Sequence, residues 1–463
     1  MGELIAGVDS STQSVKIVVR DADTGELVAQ SRAPHPDGTE INPEIWWQAL
    51  QKVISDIGGL EKIKAIAIAG QQHGMVALDK NGDVIRPALL WNDTRSAVEA
   101  EEINKNFIGI EKKVGSKLVA SFTASKLRWM KKHEISNSQK VAAICLPHDF
   151  LSWKLSGSKD LNTLFTDRSD ASGTGYFDIN ANQYLNEIVD FSHIEAQPIL
   201  LPKVLPPNAI GGTTPNGTLI APGAGDNAAA ALGVGAVLGD VIVSLGTSGT
   251  AFAVSQTPTS DPTGEVAGFC DATGNYLPLV CTLNASRILD SANQILGTSF
   301  EELDFLALRA EPGAGGLILL PYFEGERTPN RPDAKGVLAG LDLKNATREN
   351  IARALIEGML CGMADAIQSL QNNGVEVRRV LLIGGGAKSK AVCTIASQIF
   401  GVPVLVPEPG EYVANGAAKQ AAWIAKGKMP NWKLANTESY AQTPTPQVLD
   451  AYRKLRDRTE NWK

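Results

Sequence analysis

The feature that most constrains this chain is a strand–turn–strand unit that occurs twice, each time with a turn dense in hydroxyls. Residues 4–8 are apolar, Asp9-Ser10-Ser11-Thr12-Gln13-Ser14 is a turn, and residues 15–19 are apolar again. After Asp240 the pattern returns as Val241-Ile242-Val243, a turn at Leu245-Gly246-Thr247-Ser248-Gly249, and residues 251–254. Short apolar runs joined by such turns read as hairpins, and a further strand is expected after each, at 27–29 and at 266–269. Helices follow. Asn42 and Pro43 open one, with Trp46, Trp47, Leu50, Val53, Ile54 and Ile57 at helical spacing. Later helices are expected over 348–371, 388–400 and 413–425, with a buried strand at 380–383 closed by Gly384-Gly385-Gly386-Ala387. Alternating strands and helices define an α/β chain. The two similar starts predict two halves from a weak duplication, with a period too long for a solenoid. The Pro/Gly-rich stretch 201–225 approaches the junction. The last segment, 446–463, is expected to be a helix packing back on the first half.

Charge narrows the partners. The net charge is -7 and the pI about 5.5, which argues against nucleic acid or an anionic membrane as main partner. Any phosphate must therefore be gripped by local backbone groups and bound cations. Five scattered cysteines (Cys145, Cys270, Cys281, Cys361 and Cys393) contain no C-x-x-C pair. They predict buried thiols in a reducing compartment rather than disulfides or zinc. The start runs straight into a strand pattern without a basic stretch or cleavage site, so no signal peptide is expected. No apolar run approaches the roughly 20 residues a spanning helix needs. A cytoplasmic location is the expectation.

Five constellations could carry chemistry. Asp9 to Lys16 would aim backbone N–H groups and hydroxyls into one concavity, a nest for phosphate oxygens. Asp9 at the strand end could hold Mg²⁺ through water. Gly246-Thr247-Ser248-Gly249-Thr250 offers a second close-approach turn. Each also reads as an ordinary hairpin turn. Gly384 to Ser389 is a Gly-rich turn between strand and helix, suited to a ligand or simply to tight packing. Ala224-Gly225-Asp226-Asn227 heads an alanine-rich helix. Asp226 there is either a plain N-cap or a base kept ionised by the helix dipole. Gln71-Gln72-His73-Gly74 ends a buried strand, where α/β sheets bind ligands. His73 could equally be a satisfied core histidine. Trp91-Asn92-Asp93-Thr94-Arg95 is a further polar cluster that could be a helix start. There is no P-loop, dinucleotide fingerprint, nucleophile elbow or H-E-x-x-H.

Together these residues resemble the FGGY carbohydrate kinases of the actin-like ATPase superfamily. Residues 121–130 (SFTASKLRWM) resemble that family's first signature, and 335–341 (KGVLAGL) with Ala354 and Glu357 resemble the second. The resemblance implies two actin-like (ribonuclease H-like) ATPase domains around a central cleft, 1–238 mainly for sugar and 239–463 mainly for ATP. It implies Asp226 as catalytic base and Asp9 placing Mg²⁺. Gln72, His73, Asp226 and Asn227 would line the sugar site. Ser11, Thr12, Gln13, Gly246, Thr247, Ser248, Gly385, Gly386 and Ala387 would hold ATP. Many members carry glycine where this chain has Ser11. Gly70 to Gly74, Trp91 to Asp93, Gly225 to Asn227 and Gly325-Glu326-Arg327-Thr328-Pro329 point within the family to D-xylulose, phosphorylated on its 5-hydroxyl. Another ketose or polyol (ribulose, ribitol, glycerol) is the alternative, and an actin-like ATPase without a sugar acceptor the remoter one. Lys16 either reaches phosphate or sits on its strand, Glu326 and Arg327 could be an interdomain ion pair, and a homodimer is left open.

Overall fold

A computed structural model of the protein describes residues 2–194, 198–432, 434 and 436–462. Met1 and Lys463, where the expected domains begin and end, lie outside these. The elements that matter for the site are, in chain order, β1 (Leu4–Ser10), β2 (Ser14–Asp21), β3 (Leu27–Pro34), α1 (Pro43–Asp56), β4 (Ile63–Gly70), α2 (Thr123–His133), α3 (Pro147–Ser156), β5 (Ala224–Gly225), α4 (Asp226–Val234), β6 (Asp240–Leu245), β7 (Gly249–Ala253), α5 (Arg348–Asn372), β8 (Arg379–Ile383), α6 (Lys390–Phe400), α7 (Tyr412–Lys426) and α8 (Pro446–Arg458).

Two compact units account for the described chain. The first comprises Met1–Gly235, Gln256–Leu277 and Glu411–Lys433, the second Ala236–Ser255, Pro278–Gly410 and Leu434–Lys463. Each therefore gathers chain from both sides of residue 238. In the first unit β1 pairs antiparallel with β2, β2 with β3, and β1 in parallel with β4. α1 starts as the sequence predicts: the Asn42 side chain accepts from the Glu44 amide with Pro43 at the first position, and Trp46, Leu50 and Val53 are buried. Each such burial is worth about 2 kcal/mol, so the apolar face rather than propensity holds this helix on the sheet.

α4 and α7 approach so closely that only small residues fit between them. A Cβ on Gly233 would meet the Tyr412 carbonyl oxygen at 1.9 Å, and one on Gly416 the Ala229 oxygen at 1.8 Å. α7 also seats on β1, where a Cβ on Gly7 would lie 2.1 Å from the Ala414 oxygen. The alanine run after Asn227 is thus a packing requirement.

The second unit repeats the opening motif. β6 pairs antiparallel with β7 and parallel with β8, as β1 does with β2 and β4. This shared topology is what the duplicated hairpins predicted. α8 corrects one expectation, because it packs on the second unit. Its Arg453 and Arg456 bind Asp365 of α5 at 3.0 and 2.5 Å, and Tyr452 and Val448 are buried. The pairing charge sits on α5, which no local pattern announces. Four of the five cysteines are buried as expected, and Cys281 is half-buried. Among the described residues no helix is long and apolar enough to cross a membrane.

Candidate active site

Three strands of the first unit end together. β1 runs parallel to β4 with Asp9 beside Ala69 and Ser10 beside Gly70, and β5 runs parallel to β4 with Ala224 beside Ala69 and Gly225 beside Gly70. The residues that leave these ends, Ser11 to Gln13, Gln71 to His73 and Asp226-Asn227, emerge at the carboxyl edge of the sheet. That edge is where open α/β sheets bind ligands.

Asp9 is buried, and its Oδ1 has no hydrogen-bond partner within the protein. Lys16 Nζ stands 3.8 Å from Asp9 Oδ2 and 2.5 Å from Glu411 Oε2, so Lys16 is committed to carboxylates. Burial pushes the Asp9 carboxyl up to about 6, with Lys16 opposing the shift. Asp226 is the first residue of α4, not its cap, since Gly225 occupies the N-cap. Asp226 Oδ1 accepts the Asn227 amide at 2.7 Å and Asn227 Nδ2 at 2.8 Å. Burial, with the Asp9 charge adding to it, pushes the Asp226 carboxyl up to about 7. Burial and the Asp9 charge together outweigh the helix N-terminus expected to keep it ionised.

Gln72 is buried, with Nε2 3.4 Å from the Ser169 carbonyl and Oε1 3.5 Å from Asn227 Nδ2. His73 adopts a left-handed backbone, φ 68, which a residue with a Cβ rarely does. Its Nδ1 lies 2.6 Å from the Gly173 carbonyl, so that nitrogen carries the proton. The ring centroid is 5.0 Å from Phe122 and 5.4 Å from Phe269. The structure thus brings Asp9, Gln72, Asp226 and Asn227 to one edge, with His73 next in the chain.

The first turn closes through the Ser11 amide and hydroxyl, both 3.0 Å from the Ser14 carbonyl. No residue from Ser11 to Gln13 has a positive φ. Serine in place of the family's glycine therefore carries no backbone strain. Trp91 Nε1 donates to Thr12 Oγ1 at 2.9 Å, tying the Trp91 cluster to this turn.

Sequence reasoning missed the layer beneath. His148 is fully buried, Nδ1 2.6 Å from Asp170 Oδ2 and Nε2 3.2 Å from Asp149 Oδ1. Burial alone would push its imidazole down, but Asp149 and Asp170 outweigh that and hold it up. In the same stretch Ser169 Oγ accepts the Gly225 amide at 3.0 Å. The run Asp167 to Thr174 supplies the floor under Gln72 and Gly225. Its only signal was a density of polar residues between apolar ones.

In the second unit, β6 and β8 end side by side with Ser244 beside Ile383. Gly246 and Gly384 then follow adjacent strand ends. A Cβ on Gly384 would lie 2.7 Å from the Leu245 oxygen and one on Gly386 2.9 Å from Leu245 Cβ, so these glycines let the third turn nest on the second. Thr247 and Ser248 are exposed, Gly385 is exposed and Ala387 half-buried. Ser286 anchors Gly246, its amide 2.9 Å and hydroxyl 2.6 Å from that carbonyl. Ser389 caps α6 by accepting the Val392 amide. The ion pair considered for Glu326 and Arg327 does not form. Glu326 instead accepts from the Leu283 and Arg327 amides at 2.7 Å each and from Asn284 Nδ2 at 3.0 Å.

Among the described residues no group of three His, Cys, Asp or Glu forms a metal cage. The Asp9 charge adds to the penalty on the Asp226 carboxylate, and the unpartnered Asp9 Oδ1 needs a donor or a cation. That donor set fits a hydrated divalent ion better than a directly ligated one.

In the first unit the strand ends carry a carboxylate and a hydroxyl turn, and in the second they carry two glycine turns, the pieces that phosphoryl transfer needs. The family models agree: residues 4–233 match the FGGY family of carbohydrate kinases, N-terminal domain, and residues 241–425 its C-terminal domain. The chain belongs to this family and is a sugar kinase. Within it, the chain is 41% identical over 444 residues to the xylulose kinase of Streptomyces coelicolor, covering 92% of this chain and 89% of that one. It is 35% identical to the xylulose kinase of Escherichia coli, covering 97% and 96%. The crystal structure of xylulose kinase from Bifidobacterium adolescentis superposes with a TM-score of 0.92 at 46% identity, covering 98% of this chain and 99% of that one.

Proposed function

We propose that this chain transfers the terminal phosphoryl group of ATP to the 5-hydroxyl of D-xylulose, giving D-xylulose 5-phosphate. The observation that carries the chemistry is the convergence of Asp9, Gln72 and Asp226-Asn227 on one strand-end edge. The likeness to xylulose kinases carries the choice of sugar.

In this reading Asp226 accepts the proton of the acceptor hydroxyl. Asn227 occupies Asp226 Oδ1 twice, which orients the carboxylate and leaves Oδ2 for the hydroxyl. A carboxyl poised near 7 is matched to proton transfer at neutral pH. Gln72, His73 and Asn227 orient the sugar. The Ser11–Thr12–Gln13 turn of the first unit and the Gly246–Thr247–Ser248 turn of the second grip phosphates, and Gly385, Gly386 and Ala387 seat the adenosine. Asp9 would hold Mg²⁺ through water, and bound Mg²⁺ would neutralise charge on the transferring phosphate. Sugar is assigned mainly to 1–238 and nucleotide mainly to 239–463. The family reading extends to a cytoplasmic location and leaves a homodimer open.

The test is ADP release by purified protein across ketoses, polyols and glycerol. D-Xylulose should give the highest kcat/KM. Higher efficiency with ribulose, ribitol or glycerol would reassign the sugar, and turnover without any sugar would favour a plain ATPase.

A further inference from the structure

The segment that resembles the family's first signature wraps His73. Lys126 Nζ donates to the His73 carbonyl at 2.8 Å, and Thr123 Oγ1 donates to the same oxygen at 3.2 Å. Phe122, one residue before α2, packs its ring on the imidazole. The Ala124 amide donates to the Thr174 carbonyl at 2.8 Å, which brings Gly173 and its carbonyl against His73 Nδ1. So one helix start holds the backbone oxygen of His73, stacks on its ring and docks the acceptor of its ring proton.

Lys126 itself is fully buried, 0% exposed. A lysine in such a place is costly, because its ammonium gives up water. Burial holds its amine well below the usual lysine range, and the Asp93 carboxylate acts against that. Ordinary core packing would be met by methionine or leucine. What those lack is a donor for the His73 carbonyl, whose direction follows from the left-handed backbone at that residue.

We infer that Lys126 is a positioning residue for sugar binding: with Thr123 it locks the His73 peptide in its left-handed conformation and so aims the imidazole at the acceptor. The inference rests on the proposed place of His73 in the sugar site. Lys126 touches no substrate and acts through His73.

The test compares Lys126→Met, Thr123→Val, His73→Ala and the double variant Lys126→Met/His73→Ala, each first checked for a cooperative thermal transition. A buried carbonyl left without its donor sets the scale, so Lys126→Met should raise the KM for D-xylulose by about 10- to 100-fold. The KM for ATP should stay within about twofold. Thr123→Val should raise the sugar KM by about threefold or more, the loss of a neutral bond. In the His73→Ala background, Lys126→Met should add nothing to the sugar KM. A further rise there, or an equal rise in both KM values, would mean a general packing role and overturn the inference. An unchanged sugar KM in folded Lys126→Met, or in Thr123→Val should Lys126→Met not fold, would do the same while His73→Ala still weakens sugar. An unchanged sugar KM in His73→Ala would overturn the sugar-site reading itself.

Discussion

The proposed role of Asp226 needs charge, and its setting disfavours it. Asp226→Ala should lower kcat by roughly 10²–10⁴-fold, the contribution of a positioned base, with folding intact. Near-normal turnover would remove Asp226 from that role. Asp226→Asn separates activity from stability. The folded pKa, about 7, lies above the ordinary value of 3.8, so the folded state holds more protons between those pH values. Stability from this group is present below pH 4 and is lost as pH rises through 7. The Asn variant should therefore melt higher than the parent at pH 8, and the gap should close toward pH 4, as read by thermal unfolding across that range. Gly173 offers a finer probe. A Cβ there would sit 2.8 Å from His73 Nδ1 and 2.9 Å from Cε1, against a ring already held by two phenylalanines. Gly173→Ala should raise the sugar KM more than the ATP KM in steady-state assays. Of these residues, Asp226 and His73 were legible because each follows a buried strand in a recognisable polar string. Lys126 was not, since a lysine within KLRWMKK reads as a solvated helix face. Only the fold shows that its turn points inward.

Among elements, the hairpins and long helices were readable because their periodicity and caps are local. The Asn42 cap is one such case, and Asn42→Ala should cost about 1 kcal/mol in chemical denaturation. Less readable was why α4 is alanine-rich. That composition looked like a generic buried helix, whereas it answers to Gly416 and the Ala229 carbonyl across the α4–α7 contact. Gly416→Ala drives a methyl into backbone that cannot swing aside. It should destabilise by at least about 1–3 kcal/mol, the cost of overpacking, seen as a lowered melting temperature. An unchanged melting temperature would mean the two helices separate freely.

At the scale of the molecule, the two-part α/β architecture could be anticipated from the repeated hairpin. The return of Glu411–Lys433 to the first unit could not, for no nearby residue encodes a partner as distant as Lys16 is from Glu411. The first unit also concentrates carboxyls pushed upward by burial: Asp9 to about 6 and Asp226 to about 7, with Asp149, Asp167 and Asp170 raised around His148. All favour the protonated folded state, so the protein's melting temperature should fall between pH 5.5 and pH 8. Mg²⁺ at pH 8 should recover part of that loss if Asp9 receives it, and should recover less in Asp9→Asn. The contact of α7 with both β1 and α4 has one more consequence. With carbonyl oxygens lodged where methyl groups would otherwise be, the strand bearing Asp9 and the helix bearing Asp226 are clasped by the same rod. The gap between the proposed base and the carboxylate proposed to hold Mg²⁺ is then a built dimension, preset before any sugar arrives, and deuterium should enter the amides of that rod among the slowest in the chain.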